Sequence, residues 1–199
     1  MKNISVKLVD YYGCDRRPIL AARVSTLLDD MEPDPKRDLR LARYLLEHGH
    51  TSPYEHCGAT FLIEAPLYSA RQIMRHRTFS YNEMSRRYTS EGVSFYTPQH
   101  LYVQHQKRLQ CSSHDTLEPK QEADFLAQLE AHYQRSLELY GQMIERGVSR
   151  EQARLALPVA QMTKFYMTGN LLNYIKFLKL RLDHHSQRET RLVAHAMYL

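Results

Sequence analysis

The chain has 199 residues, 43% hydrophobic and 25% charged, which is the balance of a soluble globular protein and excludes a disordered or fibrous class. No run approaches the roughly 20 apolar residues that span a bilayer, and the opening MKNISVKLVDYYG lacks the apolar core of a secretory signal. The expectation is a single cytoplasmic domain over residues 1–199, and a formal charge of +5 that favours an anionic partner.

Two details of composition narrow this further. Arginine outnumbers lysine, 19 to 8. Either residue neutralises phosphate, but the planar arginine fork suits shaped recognition of phosphate or subunit contacts. The three cysteines, Cys14, Cys57 and Cys111, are widely spaced, odd in number and without a CxxC pair. They point to a reducing compartment and buried structural thiols, not to a cysteine nucleophile.

In chain order, Asn3–Asp10 alternates Ile4, Val6 and Leu8 against Ser5 and Lys7, the period of a half-buried strand. Pro18 opens a short helix with Leu20, Ala21, Val24 and Leu28 on one side. The run DDMEPDPKRD is a loop, after which Leu39, Ala42, Leu45 and Leu46 repeat at helical spacing up to Gly49. Cys57–Glu64 alternates again through Ala59, Phe61 and Ile63, so the two strands are expected to pair. Pro66 starts a helix carrying Leu67, Ala70, Ile73 and Met74. Residues 90–119 show no sustained period and read as a long loop with at most one helical turn. From Lys120 to Gly147 a long amphipathic helix runs through Phe125, Leu129, Tyr133, Leu137, Tyr140 and Ile144, and Ser149-x-x-Gln152 reads as a capping box for the next. Asn170–Leu199 reads as a final helical stretch, with Arg181 and His185 four apart on one face. The class is α+β, with helices packed around a small, mostly antiparallel sheet.

The chemistry concentrates in Gln72–Tyr88, QIMRHRTFSYNEMSRRY, which holds Arg75, His76, Arg77, Arg86 and Arg87 around Glu83, Asn82 and the serines. Its plainest reading is a basic, solvated surface loop. A second polar cluster, HGHTSPYEH at His48–His56, offers three histidines and Glu55, yet its spacing matches no compact zinc signature. It reads as a loop shaping a ligand pocket, and no metal is expected. No Gly-x-Gly-x-x-Gly, P-loop or Gly-x-Ser-x-Gly occurs, so a nucleotide or flavin must be held by side chains and helix ends. Ser80 and Ser85 near His76 leave a serine hydrolase formally open, although an orienting acid and an oxyanion hole are not visible in sequence.

The order of residues decides among these. Arg75-His76-Arg77, seven residues and then Ser85 form an RHRx7S motif within RHRTFSYNEMSRRY, and the chain resembles the flavin-dependent thymidylate synthase family. Supporting segments are AARVS at Ala21–Ser25, HGHTSPYEH, ARQIMRHR at Ala70–Arg77, the AR…LP run at Ala153–Pro158, MTGN at Met167–Asn170 and LRLDHHSQRE at Leu180–Glu189. The resemblance implies a homotetramer, with sites shared between subunits, that makes dTMP from dUMP. Methylenetetrahydrofolate supplies the carbon, FAD carries the hydride and NADPH reduces the flavin. By position it implies dUMP contacts from Gln72, Arg75, Glu83, Ser85, Arg87, Arg154 and Arg181. Catalytic roles fall to Arg181, which polarises the uracil, and Ser85. FAD contacts are implied for Ser52, Arg75, His76, Arg77, Glu83 and Asn170. Ser52 stands where many relatives carry threonine, while Leu172 and Lys176 depart from residues that often contact FAD. A close variant installs another C5 group on the pyrimidine. The rival of another class is an arginine-rich nucleic-acid-binding protein, whose binding is steeply salt-dependent.

Overall fold

A computed structural model describes residues 3–27 and 32–199. Its framework is a four-stranded antiparallel sheet in the order β1 (Ser5–Tyr12), β2 (Gly58–Pro66), β6 (Met162–Asn170), β3 (Ser80–Glu83). The expected pairing of the first two strands is present, Val6 facing Ile63 and Tyr12 facing Gly58, with a bulge between Leu8 and Asp10. The other half of the sheet differs from expectation. No element is expected over β6, yet it lies at the centre, paired with β2 along its whole length and with β3 from Ser80↔Thr168 to Glu83↔Phe165. Its alternation was present in the residues: Thr163, Phe165 and Met167 are buried while Lys164 and Tyr166 are exposed.

The core gathers on the inner face of that strand. Ile63, Ala65, Ile73, Phe79, Phe165, Met167, Phe177 and Val193 form one apolar cluster, fed by α3 (Leu67–Ile73), α6 (Leu171–Arg181) and α7 (Arg188–Tyr198). A smaller cluster joins Leu45, Tyr54 and Leu172, so Leu172 is a packing residue. Leu45 comes from α2 (Pro35–Glu47), whose Asp34 cap accepts from the amides of Lys36 and Arg37. Buried Arg23 at the end of α1 (Arg17–Val24) meets Asp38 at 2.5 Å and fastens the two helices together. Leu28, expected on α1, lies outside the described residues, as do the first residues of the acidic loop. The Gly49 and Gly147 helix ends both adopt positive φ, as expected.

Four further expectations are corrected. Residues 90–119 carry no helical turn but a small antiparallel pair, β4 (Tyr102–Gln104) and β5 (Ser112–Thr116), whose strands are too short and polar to show a period. The long helix α4 (Pro119–Glu145) is present, but Phe125 is half exposed on it. Ser149 sits at the start of α5 (Arg150–Ala153) without a side-chain cap; its carbonyl, not its hydroxyl, accepts from the amides of Gln152 and Ala153. The final helical stretch breaks between α6 and α7, because Asp183 accepts from the amide of His185 at 2.8 Å and closes a turn. His185 therefore does not share a helix face with Arg181. Among the cysteines, Cys57 and Cys111 are buried and Cys14 is exposed, all three as free thiols. Among the described residues no helix is long and apolar enough to cross a membrane.

One close packing contact locks the arginine-rich turn onto the sheet. The Phe79 ring lies against Gly169 of β6, where an added Cβ would collide with its Cδ1 and stand 2.7 Å from its Cε1. Two separate motifs, RHRTFS and MTGN, thus meet through a ring and a missing side chain. Gly169→Ala is expected to lower stability by about 1–3 kcal/mol through overpacking, read as a drop in melting temperature.

Candidate active site

The arginine-rich stretch leaves α3 at Ile73, turns through Arg75–Thr78, pairs as β3 and then turns again at Ser85–Tyr88. Its residues consequently face two places. At the first turn Arg75 and Arg77 are exposed and His76 is half-buried. Arg181, the last residue of α6, donates from Nε to His76 Nε2 at 2.9 Å and from a terminal nitrogen to the Gln72 carbonyl at 3.4 Å. The bond assigns His76 as neutral, accepting at Nε2 and protonated at Nδ1. Burial first, and then the Arg181 charge, hold its pKa below the ordinary imidazole value. Tyr81 supports the turn from beneath, donating to the carbonyls of Ile73 and His76. Burial also lowers the Arg181 pKa from its very high starting value, and a guanidinium remains charged at neutral pH.

The same turn is tied to the start of α6. Asn173 donates to the Thr78 carbonyl at 2.8 Å, and Asn170 caps the helix by accepting from the Asn173 amide at 3.0 Å. The HGHTSPYEH segment forms a short 3-10 turn, Ser52–His56, that packs on α1, α6 and β6, with Ser52 exposed at its first position. Ser52, Arg75, Arg77 and Asn170 thus stand on elements joined to one another. Exposed guanidiniums, a hydroxyl and a helix N-terminus form a donor set suited to a cofactor that carries phosphate. Lys176 is exposed on α6. His48 and His50 both stack on Tyr44, with ring centroids 4.0 and 6.3 Å away. Among the described residues the one group of three with metal-ligand proximity is Asp183, His184 and His185, within 4.8 Å of one another.

The second place is a cleft of about 480 Å³ between α3, the Glu83–Arg86 segment and the turn Arg154–Ala156. Glu83, Ser85 and Arg154, distant in sequence, line it together with Arg71, Arg86 and Thr163, which sequence reasoning did not assign. Among the described residues Glu83 makes no ion pair; Thr163 donates to its Oε1 at 2.6 Å. Arg86 is buried, with its terminal nitrogens on the carbonyls of Glu91 and Gly92 and its Nε without a partner. Burial lowers its pKa. Beside the cleft, Arg87 and Arg154 converge on Glu151: Arg87 Nε stands 3.8 Å from the Glu151 carboxylate, and Arg154 Nε donates to the Glu151 carbonyl at 3.1 Å. The Arg87 pair is exposed and weak, so both guanidiniums are available to an anion.

Within one chain the residues expected around dUMP are therefore split. Glu83, Ser85 and Arg154 line the cleft, Arg87 stands beside it, and Gln72, Arg75 and Arg181 do not line it. Glu83, expected at the flavin as well, lies at the far end of β3 from the Asn170 side of the sheet. Arg71, Arg86 and Thr163 had a readable signal only in part. Two arginines sat inside or beside the motif, but a threonine on an apolar strand face gave none.

The His76–Arg181 bond predicts a pH dependence. A histidine with a depressed folded-state pKa stabilises above the ordinary imidazole value and loses that contribution as pH falls through the folded value. Melting temperatures taken from about pH 8 down to about pH 5 should fall more steeply for the wild type than for His76→Gln, whose amide oxygen can still accept from Arg181. Parallel curves would show that His76 does not carry this dependence.

Comparison with known proteins gives one consistent answer. A family sequence model described as thymidylate synthase complementing protein matches residues 7–199. The flavin-dependent thymidylate synthase of Pseudothermotoga lettingae is 42% identical over 192 residues, covering 96% of this chain and 82% of that protein. The flavin-dependent thymidylate synthase of Thermosipho africanus is 39% identical over 193 residues, covering 95% and 82%. The crystal structure of a UMP/dUMP methylase, PolB from Streptomyces cacaoi bound with 5-Br dUMP, superposes with a TM-score of 0.89 at 34% identity, over 98% of this chain and 88% of that one. By matched length, identity and fold together, the chain belongs to the flavin-dependent thymidylate synthase family.

Proposed function

We propose that this protein is a cytoplasmic homotetramer that converts dUMP to dTMP, taking one carbon from methylenetetrahydrofolate and hydride from FAD that NADPH has reduced. The observation that carries the reading is the cleft in which Glu83, Ser85 and Arg154 converge, with Arg87 beside it. A nucleoside monophosphate brings nearly two negative charges, and two guanidiniums can meet its phosphate bidentately. Ser85 and Glu83 then address the nucleoside. Gln72, Arg75 and Arg181 do not line that cleft and form a half-site contributed to the nucleotide from a neighbouring subunit. A split set of this kind is what a site shared across an interface requires.

FAD, when bound, supplies the redox chemistry, held by Arg75, His76, Arg77, Ser52 and Asn170. The protein's own residues do the rest. Arg181 is held in one orientation by His76 and the Gln72 carbonyl, so a fixed cation meets the negative charge that develops on the uracil ring. His76 accepts from Arg181 only while neutral, which couples the flavin-side histidine to the nucleotide-side arginine. Exposed Cys14 and buried Cys57 and Cys111 are absent from the cleft, so no thiol adduct is assigned to the uracil.

The test is direct. The purified protein, supplied with FAD, should show a flavin absorbance spectrum. With dUMP, methylenetetrahydrofolate and NADPH it should release dTMP, identified by mass; a different mass increment would assign another C5 group. Offering UMP beside dUMP measures the breadth of the nucleotide site. A colourless protein that does not take up FAD, and that binds nucleic acid with a steep salt dependence, would overturn the reading. Arg181→Ala is expected to cut turnover by at least about 100-fold with a much smaller change in dUMP affinity. Arg154→Ala should instead weaken dUMP binding by about 10-fold or more, measured by calorimetry.

A further inference from the structure

At the cleft the Glu83 carboxylate has a single partner among the described residues, and that partner comes from the core. Thr163 occupies the inner face of β6 in the row Thr163, Phe165, Met167 and is 3% exposed. An apolar side chain would fill this position without cost, whereas a buried hydroxyl is unfavourable unless it is hydrogen-bonded. Its hydrogen goes to Glu83 Oε1 at 2.6 Å, the length of a charge-assisted O–H···O bond. The strands fix both ends. Glu83 lies opposite Phe165 in the β3–β6 pairing, the amide of Met84 donates to the Lys164 carbonyl at 2.9 Å, and Thr163 is next in line toward the cleft.

We propose that Thr163 is a positioning residue for nucleotide binding: it holds one oxygen of the Glu83 carboxylate and so presents the other to the ligand. The assignment rests on the cleft being the dUMP site. Glutamate carries three side-chain torsions, and ordering them only when the ligand arrives would weaken binding. Thr163 orders them beforehand. It can do so rigidly because threonine is stiff at its first torsion and the strand that carries it is paired on both sides. Its hydroxyl has one hydrogen, so it constrains one carboxylate oxygen and leaves the second unclaimed. Thr163 lines the cleft, but its one hydrogen is committed to Glu83, and it acts on the ligand through that carboxylate.

The decisive comparison is Thr163→Val, which keeps the shape and removes the donor, against Thr163→Ser, which keeps the donor. Each is measured for dUMP dissociation constant by calorimetry, for KM and kcat, and for melting temperature. The expected result is a rise of about tenfold in the dUMP Kd and KM of the valine variant. Its kcat should stay within about threefold of wild type, and serine should restore both constants. On a Glu83→Gln background the valine substitution should add little, because the carboxylate it serves is gone. Where the valine variant is insoluble, Thr163→Ala must show the same shift. A valine variant that binds dUMP like the wild type, with only its melting temperature lowered, would overturn the proposal and leave Thr163 a packing residue. Equal impairment of the serine and valine variants would overturn it too. Failure of the wild type itself to bind dUMP is a separate outcome, which removes the reading of the cleft and this assignment with it.

Discussion

The structure depends on the pairing of β6 with strands on both sides. That strand is flanked by β2 along its full length and by β3 from Phe165 to Thr168. Its buried face carries Phe165 and Met167 into the main apolar cluster, and its end, at Gly169 and Asn170, receives the Phe79 ring and starts α6. Both candidate half-sites hang from it. At one end, Asn170 and Asn173 tie α6 to the Arg75–Thr78 turn; at the other, Thr163 reaches Glu83 in the cleft. A shift of one residue in the β3–β6 register would turn Glu83 to the opposite face of the sheet and break both connections at once.

The arginines of the central motif divide their labour according to burial. Arg86 is inside, spending its terminal nitrogens on the carbonyls of Glu91 and Gly92 and shaping the loop that follows. Arg75, Arg77 and Arg87 are exposed and remain available to anions. Arg181 lies between these extremes, half-buried and oriented by a neutral imidazole. Buried guanidiniums build the walls, exposed ones meet ligands, and the intermediate one is placed where a cation must be both fixed and reachable. Lysine could not replace these three uses equally, since the planar fork holds its donors in fixed directions, whereas an ammonium is a point charge on a flexible stem.

The sequence exposed some of this and hid the rest for identifiable reasons. The RHRx7S spacing located the site because it is an ordered motif, independent of fold. Strands β1 and β2 were readable through the alternation of Ile4, Val6, Ala59, Phe61 and Ile63. Strand β3 was not, since SYNE is four residues long and mostly polar. Strand β6 carried a legible alternation but was flanked by helical signals on both sides. The break between α6 and α7 was hidden because it depends on an aspartate side chain capturing a main-chain amide, with neither glycine nor proline to mark it. Thr163 and Arg71 escaped because a cleft is a tertiary object: their importance follows from what packs beside them, and no local spacing records that.

The strand order has a further consequence for how the molecule is made. β2 pairs with β1, which precedes it in the chain and is already made when β2 emerges, but its other edge must wait for β6, on the order of a hundred residues later. At a synthesis rate of roughly 5–20 residues per second, the growing chain holds an open β2 edge, bearing Phe61 and Ile63, for several seconds before its mate emerges. β3 appears early as well and has no partner until the same moment. β6 therefore closes the sheet from the middle, and maturation of both half-sites is a late, simultaneous event. Chains truncated before Met162 would carry the entire RHRx7S motif and still assemble neither half-site.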